Sequence, residues 1–504
     1  MRVLPLGNSS GIAHLRRLYG GFNYIRGLIA LSLRTSHSRL LLHVILGALC
    51  FWVYHCWLAS RMQSSGLRLG AVSHKLAPLY AYERFGLKTG LLVAVGILSI
   101  FAMSWKKRIR HPSGTGMEIT FFMTWMVIIS VAVAGIDGSI TSRLGRPFEK
   151  LELEYYGAIN RVQNPGNFIR DYPNRLYELP MHAQTHPPGA VLFLWAVTEI
   201  LGHTPLRAAW GVILFSSLSI PAVYLFARDV MDRSAARVAT GLYVLLPNVV
   251  LFTATSMDGP FSVPLIWSTF LGWKAICNRS YVFGFLTGLM LGIATFMTFS
   301  ASVVGLLLVF LFLHQWIGSS KQIFYQKDTD CKSLFRVPLG MFLGGMAIYV
   351  PLYVFTGYDP FQMLGSAMEI SSRMMGVTGH LAGWQYFHIS VANVVVFFFS
   401  CGLTVSILWL YQFYSCLRVK AEYSESIRVM LITFSLTLTV VTLLPLYVLE
   451  TERIWIFLTP LVVLPATAWI RSFSEKSQHS MITMGAGLLM IQTILTETVL
   501  DTYW

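Results

Sequence analysis

The sequence contains few charged residues. Only 12% of its 504 residues are Asp, Glu, Lys or Arg, about half the share of a soluble domain, whereas 55% are hydrophobic. Apolar runs of about 17 to 22 residues recur along the chain, which is the length that crosses a bilayer as a helix. The runs are continuous rather than alternating, which excludes a transmembrane β-barrel. The composition therefore predicts an all-α polytopic membrane protein.

The sequence also lacks the patterns of several common sites. Its six cysteines are scattered and form no CxxC pair or Cys/His cluster, which argues against a disulfide framework and a zinc site. No glycine-rich phosphate loop is present, so no nucleotide-binding fold is indicated. The net charge of +15 arises from basic residues in short loops, where they orient spans in a bilayer. We therefore expect the lipid bilayer, and no nucleic acid, as a partner.

About 13 membrane spans are predicted, with the N-terminus in the cytoplasm and the C-terminus outside. The basic N-terminal stretch and the basic cluster at 106–110 determine this orientation. The third span leads into a large outer loop, residues 137–205, which is polar and rich in aromatic side chains. The predicted spans cover residues 40–59, 89–105, 118–136, 206–227, 239–252, 260–277, 281–297, 301–317, 337–355, 391–414, 429–447, 454–470 and 481–500.

One apolar run within the outer loop, residues 190–201, is too short to cross a bilayer at 1.5 Å per residue. If it did cross, every later basic loop would face outward, so we predict a juxtamembrane or re-entrant helix. Three regions follow from this topology. Residues 1–116 form a basic N-terminus with two spans, residues 117–277 a core with the outer loop, and residues 278–504 a C-terminal set of helices.

The predicted topology gathers ionisable side chains on one side of the membrane. Such groups are costly to hold beside a bilayer, so they are functional candidates. A carboxylate can take a proton from an acceptor hydroxyl or amine, and arginine can bind phosphate bidentately. The candidates for catalysis are Glu152, Glu154 and Asp258, and the candidates for substrate binding are Arg146, Arg170, His182, His186, Glu452 and Arg453.

Several candidates also have a simpler structural explanation. Glu152 and Glu154 could be ordinary surface acids at the start of a loop. His186 precedes two prolines, a pattern that is also typical of a helix start. Asp258 could be a turn aspartate, and Glu452 an acidic residue at a helix N-terminus.

Three motifs carry a resemblance to a known family. The sequence ELEYY at 152–156 follows the third span, HPP at 186–188 precedes the short helix, and Asp258 follows two spans later on the outer face. With these motifs the chain resembles the GT-C class of membrane glycosyltransferases, near the protein mannosyltransferases and lipid A aminoarabinose transferases. The resemblance covers about residues 118–277. Glu152 stands where the family has Asp and Leu153 where it has a second acid, so the base could be Glu152 or Glu154.

The resemblance implies an enzyme that takes a sugar from a polyprenyl-phosphate donor and transfers it to a glycan, lipid or protein acceptor. Glu152 or Glu154 would be the base, while His186 and arginines such as Arg146, Arg170 or Arg453 would hold the phosphate. A single displacement would invert the anomeric carbon. Some members of the class use a divalent cation and others do not, and the sequence identifies no metal ligands. The membrane would be the bacterial inner membrane or the endoplasmic reticulum, with the site on its outer face.

The main alternative is a transporter or flippase of lipid-linked or small solutes. Such a protein is expected to have charged or broken spans near the membrane midplane, often in repeated halves. The predicted spans contain few charges, and no internal repeat is visible. An O-antigen-ligase-like protein would place its main outer loop late in the chain, whereas the richest loop here is early. A membrane scaffold without chemistry would tolerate amide substitutions of the candidate carboxylates.

Overall fold

The computed structural model describes residues 37–64, 82–83, 88–323, 334–375, 384–418, 425–444, 447 and 450–501. The basic N-terminal stretch before residue 37, predicted to be cytoplasmic, lies outside the described residues. The described chain is overwhelmingly helical, which confirms the predicted fold class. Its α-helices are α1 (His37–Ser64), α2 (Leu91–Arg110), α3 (Thr115–Ala134), α4 (Ile140–Gly145), α5 (Pro165–Asp171), α6 (Met181–Gln184), α7 (Gly189–Leu201), α8 (Pro205–Ser216), α9 (Ser219–Val230), α10 (Arg233–Leu245), α11 (Pro247–Thr253), α12 (Asp258–Cys277), α13 (Tyr281–Met297), α14 (Ala301–Ile323), α15 (Arg336–Thr356), α16 (Pro360–Met375), α17 (Trp384–Ser400), α18 (Leu403–Arg418), α19 (Glu425–Leu443), α20 (Thr451–Ile454), α21 (Pro460–Arg471) and α22 (Glu475–Val499).

The remaining elements are short. Two-residue strands, β1 (Tyr82–Glu83) and β2 (Leu500–Asp501), pair antiparallel, with Tyr82 opposite Asp501. The 3₁₀ helices are Gly135–Asp137, Arg146–Glu149, Tyr155–Arg161, Tyr172–Asn174, Leu176–Glu178 and Trp455–Leu458. Five of these six lie in or next to the predicted outer loop, where turn-forming prolines and asparagines alternate with aromatic residues.

Several helices have the dimensions of membrane spans. In the described part of the chain, seven helical segments are long and apolar enough to cross a bilayer, and up to ten if three bent pairs each count as one span. Large apolar side chains on α1 and α2 are exposed, such as Val53 and Leu92, as expected of surfaces that face lipid. The chain is therefore a multi-pass membrane protein. The predicted count of 13 spans is not confirmed, since α2 and α12 form over predicted spans but are not among the ten.

The predicted span 391–414 is wrong as a single continuous helix. The structure divides this stretch into α17 and α18, which meet at an angle of 109°. Gly402 lies at the break with φ of 89°, a left-handed conformation that glycine adopts without steric cost. A Cβ atom at this position would lie 2.2 Å from the Leu489 side chain. The run is uniformly hydrophobic, so its sequence gives no sign of the break, which occurs at Gly402 where the chain packs closely against Leu489.

Close backbone contacts join two neighbouring helices. Helices α13 and α15 cross through small residues, and a Cβ atom at Gly288 would lie 1.9 Å from the Met341 carbonyl oxygen. A Cβ atom at Gly344 would lie 2.0 Å from the Phe285 carbonyl oxygen. Small residues at such positions allow the two backbones to approach, which is a common way to pack helices in membranes.

A buried ionic cluster joins α3 to α10 at the end of α3 that is distant from the outer loop. Glu118 is fully buried, and its Oε1 atom lies 3.4 Å from Nη1 of Arg237 and 3.5 Å from Nη2 of Arg233. The Ser113 amide donates to the same oxygen over 3.1 Å, and the Tyr224 hydroxyl donates to Oε2. A buried charge needs such partners, so this carboxylate ties three segments together.

The outer loop has its own apolar core, formed with α7, α8 and α16. Tyr172 lies at its centre, and the hydroxyl of Tyr172 donates to the carbonyl oxygen of Ala183 over 2.8 Å. Helix α7 has 13 residues, about 20 Å of rise, which is shorter than the hydrocarbon core of a bilayer. The prediction of a short helix in this loop is confirmed. The loop is thus a folded unit that presents its side chains in fixed positions.

Candidate functional site

Asp258 forms the centre of an ion-pair cluster at the start of α12. Its side chain is about 10% exposed, and Nη1 of Arg453 donates to Oδ2 of Asp258 over 2.6 Å. The Ser256 hydroxyl donates to the same carboxylate, while the Asp258 amide donates to the Ser256 hydroxyl oxygen over 3.1 Å. On its other side, Nη2 of Arg453 donates to Oε2 of Glu450 over 2.6 Å. Both carboxylates therefore orient one guanidinium group.

The backbone around Arg453 is held by a chain of hydrogen bonds. Glu450 adopts a left-handed conformation with φ of 66°, which is strained for a residue with a side chain. The Thr451 hydroxyl donates to the carbonyl oxygen of Asn393 over 2.7 Å, and the Asn393 amide group donates to the carbonyl oxygen of Tyr447 over 2.9 Å. Strain of this kind is often found at functional sites. Helix α17 thus supplies the support that keeps Arg453 on Asp258.

Glu154 is the buried carboxylate of the outer loop. It is 8% exposed, and its Oε1 atom lies 3.3 Å from Nδ1 of His182. Two backbone hydrogen bonds align the segment of Glu154 with that of His182. The His182 amide donates to the Leu153 carbonyl oxygen and the Met181 amide to the Glu152 carbonyl oxygen, each over 3.0 Å. The Glu152 side chain is exposed. Of the two candidate bases, Glu154 alone lies in a buried polar setting.

Tyr155 connects the two halves of the site. Its ring centroid lies 5.8 Å from that of His182, 5.5 Å from that of His186 and 5.9 Å from that of Phe261. Phe261 lies one turn after Asp258 on the same face of α12. Burial raises the pKa of Tyr155 well above its usual value, and the charges of Asp258 and Glu154 add to this shift. The phenol therefore stays protonated between two carboxylates.

His186 is held between the same groups. Its ring stacks on Phe261 with centroids 5.8 Å apart, and its Nδ1 atom lies 3.1 Å from the carbonyl oxygen of His182. Burial lowers the pKa of His186 to about 4, with a further contribution from the charge of His182. The imidazole is therefore uncharged at neutral pH.

The other candidates have different settings. Arg170 is exposed on α5, and its side chain makes no hydrogen bond or ion pair within the described part of the chain. Arg146 is partly buried at the start of a 3₁₀ helix, and Glu452 is 2% exposed beside Arg453 in α20. A polar cavity of about 260 Å³ lies elsewhere in the outer loop, lined by Arg161, Gln163, Asn164, Asn167, Phe168, Asp171, Tyr172, Arg175 and Leu179.

Four residues of the cluster were not among the predicted catalytic or binding residues, namely Tyr155, Ser256, Phe261 and Glu450, although the predicted topology puts Glu450 on the same outer face as Arg453. Two of them have a local signal in the sequence. Phe261 is three residues after Asp258, and Glu450 three residues before Arg453, so helical geometry brings each to the same side as the predicted residue. Tyr155 is part of the ELEYY motif at 152–156, but its position between the histidines and Phe261 depends on contacts between distant segments.

The side chains of the site do not fit a metal centre. Among the described residues, no three His, Cys, Asp or Glu side chains gather in a way that could hold an ion. The Oδ2 atom of Asp258 already accepts from Arg453, and Glu154 lies against His182. We therefore assign no step of the reaction to a metal.

The sequence of the middle of the chain matches a known family model. Residues 185–325 match the family model of the dolichyl-phosphate-mannose-protein mannosyltransferases. The match includes His186 and Asp258 and leaves Glu154 and Arg453 outside. It confirms the resemblance to protein mannosyltransferases that the motifs predicted. No curated protein matches the chain as a whole or in part.

Three solved structures are similar to this chain at low identity. The first is an Archaeoglobus fulgidus oligosaccharyltransferase in complex with zinc and sulfate, with 15% identity over 75% of this chain and 53% of that chain and a TM-score of 0.48. The second is the oligosaccharyltransferase AglB of Archaeoglobus fulgidus in complex with an inhibitory peptide and a dolichol-phosphate, with 12% identity over 76% of this chain and 56% of that chain and a TM-score of 0.47. The third is ArnT of Cupriavidus metallidurans in the apo state, with 15% identity over 71% of this chain and 62% of that chain and a TM-score of 0.42. This chain thus spans between about half and three fifths of the length of these structures.

Proposed function

We propose that this protein is a glycosyltransferase that moves a sugar from a polyprenyl-phosphate donor to an acceptor. One observation carries the proposal. A buried carboxylate, Glu154, and an oriented guanidinium, Arg453, are linked by the contacts around Tyr155. A base and a phosphate-binding cation in one cluster are what transfer from a phosphate donor requires. The family match to mannosyltransferases that use dolichyl-phosphate-mannose supports the lipid-linked donor.

In the proposed reaction, Glu154 accepts a proton from the attacking hydroxyl or amine of the acceptor. The acceptor atom forms a bond to the anomeric carbon, the bond between that carbon and the phosphate oxygen breaks, and polyprenyl phosphate leaves. A single displacement inverts the anomeric carbon. His182 orients the Glu154 carboxylate through the 3.3 Å contact between Nδ1 and Oε1.

Arg453 is proposed to bind the phosphate of the donor. Its Nη1 and Nη2 atoms donate to Asp258 and Glu450, which fix the plane of the guanidinium group, and such a planar cation matches the oxygens of a phosphate. Asp258 and Glu450 therefore act as positioning residues for this guanidinium group. Together with Glu154, they make the site net negative. This excess favours the positive charge that develops on a sugar ring during glycosyl transfer.

We propose that the site faces the outer side of the membrane, either the bacterial inner membrane or the endoplasmic reticulum. The topology predicted from loop charges puts the outer loop, Asp258 and Arg453 on this side. Their mutual contacts support that arrangement, because segments on opposite sides of a bilayer could not touch. The acceptor, whether a glycan, a lipid or a protein, would enter from the same side.

The proposal is tested by incubating purified protein with radiolabelled polyprenyl-phosphate sugars and a membrane extract as the source of acceptors. Label should move to an acceptor with the wild type and fall by ~10² or more with Asp258→Asn, which removes the charge that orients Arg453. Glu199→Gln, which changes an exposed carboxylate on α7, is the matched control and should transfer normally. Failure of folded wild type to bind or use any donor would contradict the proposal and favour transport.

A further inference from the structure

We propose that His186 accepts a hydrogen bond, as an uncharged imidazole, from a hydroxyl group of the donor sugar. This inference rests on the proposed function and specifies which part of the donor His186 contacts. It differs from the expectation that His186 holds the phosphate.

The surroundings of His186 indicate which nitrogen carries the proton. Nδ1 lies 3.1 Å from the carbonyl oxygen of His182, which can only accept, and 3.3 Å from the Thr185 hydroxyl oxygen. We assign the hydrogen to Nδ1, because it then donates to the nearer carbonyl oxygen, to which the Thr185 hydroxyl can also donate over 3.3 Å. In this tautomer, Nε2 has a free lone pair and can only accept.

The ring of His186 cannot easily turn to present Nδ1 instead. One face stacks on Phe261, and the edge of Tyr155 meets it at an interplanar angle of 90°. The backbone is also fixed, because the Tyr172 hydroxyl lies 2.8 Å from the Ala183 carbonyl oxygen and 3.3 Å from that of His186. Within the described chain, Nε2 has no hydrogen-bond partner, although the residue remains partly accessible. A fixed acceptor without a protein partner is suited to a ligand.

The surroundings disfavour a positive charge on this ring. Burial lowers the pKa of His186 to about 4, and nearby His182 and Arg453 act in the same direction. Asp258 has the opposite effect, but it is already paired with Arg453. An uncharged imidazole contributes little to phosphate binding, whereas it readily accepts a bond from a hydroxyl group.

The position of His186 favours the sugar over the acceptor. The ring of His186 meets that of Tyr155, which also meets His182, the partner of the proposed base Glu154. The same His186 ring stacks on Phe261, one turn after Asp258, which binds the proposed phosphate ligand Arg453. In a single displacement the sugar ring occupies the space between base and leaving phosphate. We therefore infer that His186 lies beside the space that the sugar ring would fill.

The test measures binding of two ligands, polyprenyl phosphate with and without its sugar, to full-length protein in detergent. Wild type should bind the sugar-bearing lipid more tightly. His186→Ala should reduce this difference by about two- to tenfold, the effect of one neutral hydrogen bond, and leave binding of polyprenyl phosphate unchanged. His186→Gln, which retains an acceptor near the Nε2 position, should keep most of the preference. His186→Lys should not restore it, because a cation cannot accept a hydrogen bond.

Each outcome separates the hypotheses. If His186→Ala weakens both lipids equally, or if His186→Lys binds both as well as wild type does, His186 acts on the phosphate and the inference is wrong while the proposed function stands. If folded wild type binds neither lipid, the proposed function fails, and the inference with it. If His186→Ala does not fold, the comparison between His186→Gln and His186→Lys decides the question in the same way.

Discussion

The Nη1 atom of Arg453 donates a hydrogen bond of 2.6 Å to Oδ2 of Asp258, although 195 residues separate the two in the chain. Both side chains are about one tenth exposed. Removal of one partner of a buried ion pair leaves an uncompensated charge, which typically costs about 3 to 5 kcal/mol. Since α12 and α20 supply these residues, the pair also holds together two distant parts of the bundle.

We expect Arg453→Ala to lower the free energy of unfolding by about 3 kcal/mol or more, because Asp258 and Glu450 lose their shared cation. Thermal unfolding in detergent measures the effect. Arg453→Ala combined with Asp258→Ala should be less destabilised than the sum of the two single variants, since neither charge is then left alone. Strict additivity in this double-mutant cycle would contradict the ion pair.

Glu118→Gln should destabilise the protein without changing the chemistry. The Glu118 carboxylate is fully buried against Arg233 and Arg237, so the amide removes the charge that compensates them. We expect a loss of about 3 kcal/mol or more in the free energy of unfolding. The control is Glu369→Gln, which breaks an exposed pair with Arg373 and should cost about 0.5 kcal/mol or less.

The activity of the remaining folded Glu118→Gln protein should equal that of the wild type. Glu118 lies near the start of α3, whereas the outer loop follows the end of that helix, about 25 Å away along its axis. Transfer activity normalised to the folded fraction measures this. A normalised rate that falls together with stability would show that the ionic cluster acts on the site as well as on the fold.

The stability of the protein should depend on His186 at mildly acidic pH. The pKa of His186 is lowered to about 4 in the folded protein, while an unfolded histidine has a pKa near 6.5. Between these values the unfolded state binds the extra proton, so stability is present above pH 6.5 and is lost as the pH falls toward 4. His186→Gln should therefore lose less stability than wild type between pH 7 and pH 5. Equal losses would show that this histidine is not buried in its neutral form.

The sequence predicted the helical membrane fold and put the main candidates on one side of the membrane. Both predictions depend only on local features, namely the length of apolar runs and the charge of the loops between them. It also predicted the short helix that became α7. The break at Gly402 was not predicted, since a single glycine in an apolar run does not indicate a left-handed backbone conformation. The sequence put Asp258 and Arg453 on the same side of the membrane but did not predict that they form an ion pair. Pairing between residues so far apart in the chain depends on how α12, α17 and α20 pack.

The choice between the two candidate bases shows the same limit. Glu152 and Glu154 stand two residues apart beside the same span, and composition treats them alike. The backbone bonds to Met181 and His182 turn one side chain inward and leave the other exposed. Such a register depends on the fold of the whole outer loop, not on the motif.

The most direct test of the central claim is the rate of sugar transfer by Glu154→Gln compared with Glu152→Gln. Both amides keep the shape of the carboxylate, so each variant should fold, as its thermal unfolding would verify. We predict that Glu154→Gln lowers the rate by ~10² or more, because the base is lost, while Glu152→Gln stays within about threefold of wild type. Wild-type transfer by Glu154→Gln would contradict the assignment of Glu154 as the base.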